Sequence, residues 1–336
     1  MKKPDTTIID QDWPLDELEE VNNCPYCGSV ERTIAYENVQ DWSFYCAHGK
    51  WTYWDCANCE AVYLSPRPIE KSIYKAYSNY YTHNHSKLNI KTILKNECLS
   101  LWLNINIQPR LRIPRFLSIF FEPLKNFVNI PFELKELVTL PKGKILDIGC
   151  GDGAFLNFAK QLGWEATGIE IDSDAVIAAL NHGVNVLEGD FRELNRYNNN
   201  FDCVICSHVL EHVYEPLTFL NMVKNSLKVG GVLMISLPNA NSFVRSIFAD
   251  SWRGIEAPRH IAIPTNLWVS NHLKLNYEIH QVSNNVGATI LASKKIAKLR
   301  KVLKGNIEKN NSHKVVNKLR DNLNTDDYTQ LICYKL

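Results

Sequence analysis

Residues 144–155, KILDIGCGDGAF, constrain this chain more than any other stretch. Ile145, Leu146 and Ile148 have the composition of a strand buried on both faces, as in a parallel sheet. Three glycines on alternate positions, Gly149, Gly151 and Gly153, then interrupt the run. Behind them Ala154, Phe155, Phe158, Ala159 and Leu162 fall at helical spacing. Strand, tight loop and helix in that order open a βαβ unit. The loop lets a ligand approach the backbone without a Cβ in the way, and the helix start offers unpaired N–H groups. The ligand is therefore expected at the carboxyl end of the strand.

The loop also satisfies the loose dinucleotide pattern G-x-G-x-x-G/A through Gly149, Gly151 and Ala154. Its carboxylates argue against a pyrophosphate: Asp147 precedes the first glycine and Asp152 lies inside the loop, where like charges would meet with little water between them. A ligand carrying an ammonium and a sulfonium suits the loop better. The residues LDIGCGDG resemble the first motif of the class I S-adenosylmethionine-dependent methyltransferases, and the resemblance continues in order. Gly168-Ile169-Glu170-Ile171-Asp172 is similar to the end of the second strand, which implies that Glu170 accepts hydrogen bonds from both ribose hydroxyls, with Ile171 beside it. Glu188-Gly189-Asp190-Phe191 resembles the third motif, implying Asp190 at the adenine amino group and Phe191 against the ring. Residues 201–207, ending at Ser207 beside the cofactor, and 230–236 correspond to the fourth and fifth strands. Asp147, Gly149, Gly151 and Gly153 complete the implied cofactor set. The implied fold is α/β: a doubly wound, seven-stranded Rossmann-like methyltransferase sheet.

Ahead of it lie two cysteine pairs, Cys24-Pro-Tyr-Cys27-Gly and Cys56-Ala-Asn-Cys59. Each pair suits a turn whose thiolates converge on one tetrahedral ion, and residues 31–45 and 50–54 suit hairpin strands that close the site. Cys46 and His48 are substitute ligands in this reading. The stretch resembles the zinc-ribbon module that precedes some bacterial class I methyltransferases, down to Leu64-Ser65-Pro66-Arg67-Pro68. Four closed thiolates make such a zinc structural. Another CxxC, Cys203 and Cys206, lies on an expected strand, where residues three apart point to opposite faces and cannot share an ion. These two are expected in the core.

Three regions follow: a small zinc-ribbon domain with an aromatic run over 1–82, a helical connector or lid over 83–140, and the methyltransferase domain over 141–336. Tyr74, Tyr77, Tyr80 and Tyr81 form the aromatic run, read as half-buried contacts. In the connector, Arg110, Arg112 and Arg115 alternate with apolar residues. They suggest packing on the main domain, with a membrane-surface contact as the minority reading. With 22% charged residues and a formal net charge of +1, the chain of 336 residues offers no bulk support for nucleic-acid binding. The N-terminal residues have no secretion pattern and no apolar run spans a bilayer, so the cytoplasm is the expected address.

The acceptor side is expected beyond the fourth and fifth strands. There Ser207-His208-Val209-Leu210-Glu211-His212-Val213 resembles the VLEHV signature of the family's small-molecule branch. A helix starting near Ser207 would put His208, Glu211 and His212 on one face. Some family members with a carboxylate in place of His208 bind a divalent ion through this cluster. Here Glu211 and His212 read as supports of the pocket and His208 as the better general base, since imidazole titrates near the working pH. A second base candidate is His260, in the stretch Trp252-Arg253-Gly254 to Pro258-Arg259-His260, which also resembles that branch. Trp252 is read as a pocket wall and Arg253 or Arg259 as the holder of an anionic substrate group. Beyond it come a helix over 266–275, a strand over 277–282, a basic helix over 294–304, a loop over 306–313, and a final antiparallel strand over 327–334.

The resemblance implies an S-adenosylmethionine-dependent methyltransferase. Its small-molecule acceptor is read as a sugar or nucleotide-linked sugar of a surface glycan, or a natural-product precursor, methylated on a hydroxyl or amine. The alternatives are an RNA methyltransferase guided by the ribbon, and a nicotinamide-dependent oxidoreductase or epimerase.

Overall fold

The computed structural model describes residues 7–77, 90–103, 111, 132–281, 287–304 and 327–336. The expectations placed on Tyr80 and Tyr81, on Arg110, Arg112 and Arg115, and on residues 306–313 lie outside the described residues. The strands are β1 (Leu18–Glu19), β2 (Arg32–Val39), β3 (Trp51–Cys56), β4 (Val62–Leu64), β5 (Arg67–Pro68), β6 (Lys144–Ile148), β7 (Glu165–Glu170), β8 (Asn185–Glu188), β9 (Phe201–Ser207), β10 (Leu227–Pro238), β11 (Ala262–Ile263), β12 (Tyr277–Gln281) and β13 (Tyr328–Lys335). The helices are α1 (Ile90–Leu103), α2 (Phe132–Thr139), α3 (Ala154–Gln161), α4 (Ser173–Asn181), α5 (Pro216–Ser226), α6 (Phe243–Phe248), α7 (Asn266–Leu273) and α8 (Gly287–Lys304). Among the described residues, no helix is long and apolar enough to cross a membrane.

Seven strands form the main sheet in the order β12-β13-β10-β9-β6-β7-β8. It is an α/β, Rossmann-like methyltransferase fold. The pairs β6–β7, β6–β9, β7–β8 and β9–β10 are parallel, and β13 inserts antiparallel between β10 and β12. From β6 the chain steps outward to β7 and β8, then returns to the other side of β6 as β9. That reversal opens a crevice at the carboxyl ends of β6 and β9, where an open α/β sheet binds ligands.

Alternation along β9 divides the core. Cys203 and Ile205 pack on one face with Ile145, Val232 and Met234, while Val204 and Cys206 pack on the other with Leu146, Leu233 and Ile235. The two thiols thus sit on opposite sides of the sheet, as strand geometry requires. Each such apolar side chain, taken fully from water, contributes roughly 1.5–3 kcal/mol.

The N-terminal region is a second, four-stranded antiparallel sheet, β11-β4-β3-β2. Its hairpin β2–β3 carries the expected pairing. The edge strand β11 comes from the far side of the main sheet in sequence, with Ala262 opposite Tyr63 and Ile263 opposite Val62. Tyr26 Oη donates to Ala262 O (2.9 Å) and Leu64 N to Ile261 O (2.9 Å). The two sheets therefore share the loop that carries residues 252–260.

A buried ion pair locks this junction. Arg259 is completely enclosed and donates to both carboxylate oxygens of Asp41 (2.6 and 3.1 Å) and to Ala76 O (2.8 Å). A guanidinium so committed does not hold an anionic substrate group, which corrects the role expected for Arg259. Cys46 is hydrogen-bonded within the same pocket to Asp41 and Ala76 O, so it stands apart from the four-cysteine cluster. Replacing Arg259 by methionine removes the guanidinium and leaves the buried Asp41 carboxyl with the backbone N–H groups of Phe44, Cys46 and Ala47 in place of an ion pair. The expected destabilisation is about 3–5 kcal/mol, read from the shift of the denaturant midpoint; an unchanged midpoint refutes the pairing.

Candidate active site

The glycine loop lies where the crevice opens. Gly153 takes φ 72° and a Cβ there would come within 2.8 Å of the Ala179 Cβ on α4, so only glycine fits. Gly151 N donates to Glu170 Oε2 (2.8 Å), while Glu170 Oε1 accepts from Ile171 N (2.8 Å) and Asp172 N (3.0 Å). Three backbone donors thus hold the carboxylate at the end of β7 and join it to the loop. Ile171 beside it is 73% exposed, an apolar side chain that a bound nucleoside would cover. Asp147 is buried, and that burial, with the nearby charges of Glu133 and Glu170, pushes its carboxyl well above the usual range. A cationic ligand would relieve that cost.

Asp190 caps the turn after β8, accepting from Arg192 N (2.7 Å) and from the Arg192 guanidinium (2.5 Å). Phe191 turns inward, edge-on to Phe219 with centroids 5.4 Å apart. Ser207 ends β9 and donates to Glu133 on α2 (2.5 Å).

Beyond Ser207 the chain does not continue as a helix. His208 takes φ 57°, its N–H donating to Ser236 O (2.7 Å), and only Leu210–His212 forms a 3₁₀ turn. The tight turn still brings His208 Nδ1 to 3.1 Å from Glu211 Oε1. The His208 ring is half exposed, edge-on to Tyr328 at 5.3 Å, whereas Glu211 is fully buried. Desolvation by the surrounding protein atoms works to lower the His208 pKa, yet Glu211 holds it above the ordinary histidine value. Burial opposes the charge on Glu211 as well, but His208, His212 and His260 hold its carboxyl below the usual range.

His212 and His260 stack edge to face, centroids 4.7 Å apart. A carbonyl only accepts, so His212 Nδ1 donates to Arg259 O (2.9 Å) and His260 Nδ1 to Gly254 O (2.7 Å). Burial pushes His260 down to about 4, so its imidazole is neutral near pH 7. Glu256 lies 4.0 Å from His260 Nε2; burial works against its charge, but His260, Arg253 and Arg259 hold it at about 2. Arg253 pairs with Glu256 and lies over the Phe44 ring at 5.1 Å. Trp252 is buried, its Nε1 donating to Asp327 (2.9 Å).

One donor atom each from Glu211, His212 and His260 lies within 4.8 Å of the others. Glu211 Oε2 is buried with no hydrogen-bond partner among the described residues. Sequence spacing grouped His208 with Glu211 and His212; the fold adds His260 to Glu211 and His212 instead. Spacing also missed Tyr77, Glu133 and Tyr328, which come from elements distant in the chain, and Glu256, which lies within the 252–260 stretch but was given no role. Of these, Tyr77 alone had a signal, as part of the aromatic run.

At the far end of the N-terminal sheet, Cys24 Sγ lies 3.6 Å from Cys59 Sγ and Cys27 Sγ 3.4 Å from Cys56 Sγ. Matched turns hold them: Gly28 N donates to Cys24 O (2.9 Å) and Glu60 N to Cys56 O (3.0 Å). All four sulfurs lie within 4.8 Å of one another. A tetrahedral zinc with Zn–S bonds of about 2.3 Å separates its sulfurs by roughly 3.8 Å, so the set fits that ion. The hydrogen bond from Cys59 already pushes the Cys24 thiol down to about 5.

The glycine loop, the Glu170 carboxylate and the sheet order agree with one further observation: residues 125–274 match the family model described as a methyltransferase domain. By that match this segment is a methyltransferase domain. A ubiquinone biosynthesis O-methyltransferase of Xanthomonas campestris pv. campestris (strain B100) is 32% identical over 109 residues, which cover 30% of this chain and 46% of that protein. The protein of the same name from Glaesserella parasuis serovar 5 (strain SH0165) is 35% identical over 155 residues, 40% of this chain and 66% of that one. This chain spans about half the length of the first of these relatives. The crystal structure of a SAM-dependent methyltransferase from Archaeoglobus fulgidus aligns with 22% identity and a TM-score of 0.44, covering 66% of this chain and 100% of that one. In the methyltransferase domain, the VLEHV residues follow β9, which lies on the other side of β6 from β7 and β8.

Proposed function

We propose that this protein transfers the methyl group of S-adenosylmethionine to a hydroxyl of a small molecule, with His208 as the proton acceptor. The observation that carries the reading is the pair formed by His208 and Glu211 at the carboxyl end of β9: a half-exposed imidazole backed at 3.1 Å by a fully buried carboxylate. Methyl transfer from a sulfonium is an in-line displacement, and the protein contributes mainly alignment and exclusion of water. A neutral hydroxyl needs a base as the methyl arrives. An imidazole whose proton affinity is raised by a carboxylate, and whose orientation that carboxylate fixes, meets the need. The O-methyltransferase names of the relatives favour oxygen over nitrogen as the acceptor atom.

Cofactor contacts fall to Asp147, the loop glycines, Glu170, Ile171 and Asp190, with Arg253 on the acceptor side; Trp252, buried against Asp327, pins the loop and does not wall the pocket. A sugar or nucleotide-linked sugar stays the proposed acceptor class, with Arg253 the cation that would meet an anionic group. We assign a structural zinc to Cys24, Cys27, Cys56 and Cys59; bound there, it would tie the two turns together. The division into a module over 1–82, a connector over 83–140 and a methyltransferase domain from 141 belongs to this proposal, with β11 lent to the module's sheet.

The test follows S-adenosylhomocysteine release over a panel of sugars, nucleotide sugars and phenols against pH. The acid limb of kcat/KM should follow His208, whose folded pKa is raised, so activity is lost as pH falls through that value. Glu211→Gln removes the partner that raises it and should move the limb to lower pH, with a roughly 10²-fold lower rate. A limb unmoved in Glu211→Gln removes His208 from the chemistry. Inhibition by a chelator that leaves the cysteine cluster loaded would instead make Glu211, His212 and His260 ligands of a cation.

A further inference from the structure

Two tyrosine hydroxyls of the N-terminal region reach His212 and His260, one at a ring and one at the main chain. Tyr53, fully buried on β3, donates from Oη to the main-chain oxygen of His260 (2.9 Å). Tyr77 Oη lies 3.1 Å from His212 Nδ1, with the two rings 6.4 Å apart. The backbone on either side is pinned as well, since Arg259 donates to Ala76 O, one residue before Tyr77. Residues 76–77 and 259–260 are thus joined around the two imidazoles, although 183 positions part Ala76 from Arg259 in the chain.

We propose that Tyr77 is a positioning residue of the acceptor site, acting through His212. The Nδ1–H of His212 finds two acceptors, Arg259 O at 2.9 Å and Tyr77 Oη at 3.1 Å. A ring nitrogen that donates to both keeps its proton, and the tautomer so held leaves Nε2 as the lone-pair nitrogen of a ring packed against His260. Orientation and tautomer of an imidazole are set by the partner of its other nitrogen. Here one of those partners comes from the N-terminal region, which makes that region a wall of the acceptor site as well as a support beside it. The consequence for catalysis rests on the reading of the His208, Glu211, His212 and His260 cluster as the acceptor side.

Packing is the competing account of Tyr77, whose ring adjoins a cluster that includes Tyr53, Leu64 and Trp252. Tyr77→Phe keeps the ring and removes only the hydroxyl, so it separates the two. The full-length protein is labelled with ¹⁵N-histidine, with His212 assigned from its loss in His212→Gln, and ring nitrogens are compared at one pH in the parent and in Tyr77→Phe. One hydrogen bond of ordinary net strength corresponds to a roughly five-fold fall in the Nδ1–H to Nε2–H ratio of His212. Affinity for S-adenosylhomocysteine, and the signals of His280 on the distant strand β12, should not change. His212 nitrogens that are the same in both proteins overturn the proposal, and so does a change shared equally by His280. These readouts need no acceptor. If Glu211→Gln keeps full methyl transfer while the His212 tautomer still responds to Tyr77→Phe, the functional reading fails and the positioning contact stands.

Discussion

Glu170→Ala is expected to weaken S-adenosylmethionine binding by roughly 10²–10⁴-fold. A carboxylate that takes two ribose hydroxyls makes two charge-assisted hydrogen bonds, each worth about 1.5–3 kcal/mol, and each 1.4 kcal/mol is a factor of about ten. The same side chain holds Gly151 N, Ile171 N and Asp172 N, so its loss also releases the glycine loop from the end of β7. Titration calorimetry of the parent and the variant with S-adenosylmethionine, and in parallel with NAD, gives the measurement. Affinity that survives in the variant, or heat from NAD in the parent, removes Glu170 from the ribose and calls for a different ligand. Glu170→Gln should fall between the two, since an amide keeps one acceptor oxygen and loses the charge.

Removing zinc from the four cysteines should have the second large effect. Structural zinc sites contribute an apparent 10–16 kcal/mol or so at neutral pH, as much as or more than the roughly 5–15 kcal/mol that holds a whole domain folded. The stripped protein, or Cys24→Ser, should lose the β2–β3–β4 sheet and with it the support of β11. Metal analysis should give one zinc per chain, and thermal unfolding of the stripped sample should start well below that of the loaded one. Because β6, α3 and β7 lie outside that sheet, a sample kept below its first transition should still bind S-adenosylhomocysteine. An unchanged unfolding curve after complete stripping would make the cysteines bystanders.

Much of the main sheet was legible because its signals are local. Ile145 to Ile148 followed by alternating glycines can serve few structures, and the alternation that separates Cys203 from Cys206 is a property of any strand. The paired cysteines were legible for the same reason, each pair being a turn. Around His208 the local signal pointed the wrong way: Ser207 to His212 has helical spacing, but φ 57° at His208 ends that option. The contact between His208 and Glu211 survives because a three-residue step closes in a 3₁₀ turn much as in an α-helix. Arg259 was misread for a different reason. An arginine in a loop beside a histidine suggests anion binding until Asp41 is known to face it, and that partner lies 218 positions away. Glu133 and Tyr328 were out of reach on the same grounds, and the aromatic run marked Tyr77 without naming its partner, since only the fold brings these residues beside the VLEHV turn.

The loan of β11 to the N-terminal sheet also bears on synthesis. Tyr26 bonds to a carbonyl 236 positions further on, and β4 has no outer neighbour until Ala262 and Ile263 have left the ribosome. The sheet that holds the cysteine turns therefore emerges well before the strand that completes it. For most of translation it waits with the β4 edge bare, an arrangement that invites pairing with other chains. Zinc captured early by the two cysteine turns would hold the hairpin in shape during that interval, so metal supply should govern the soluble yield of the nascent chain as well as the stability of the mature one.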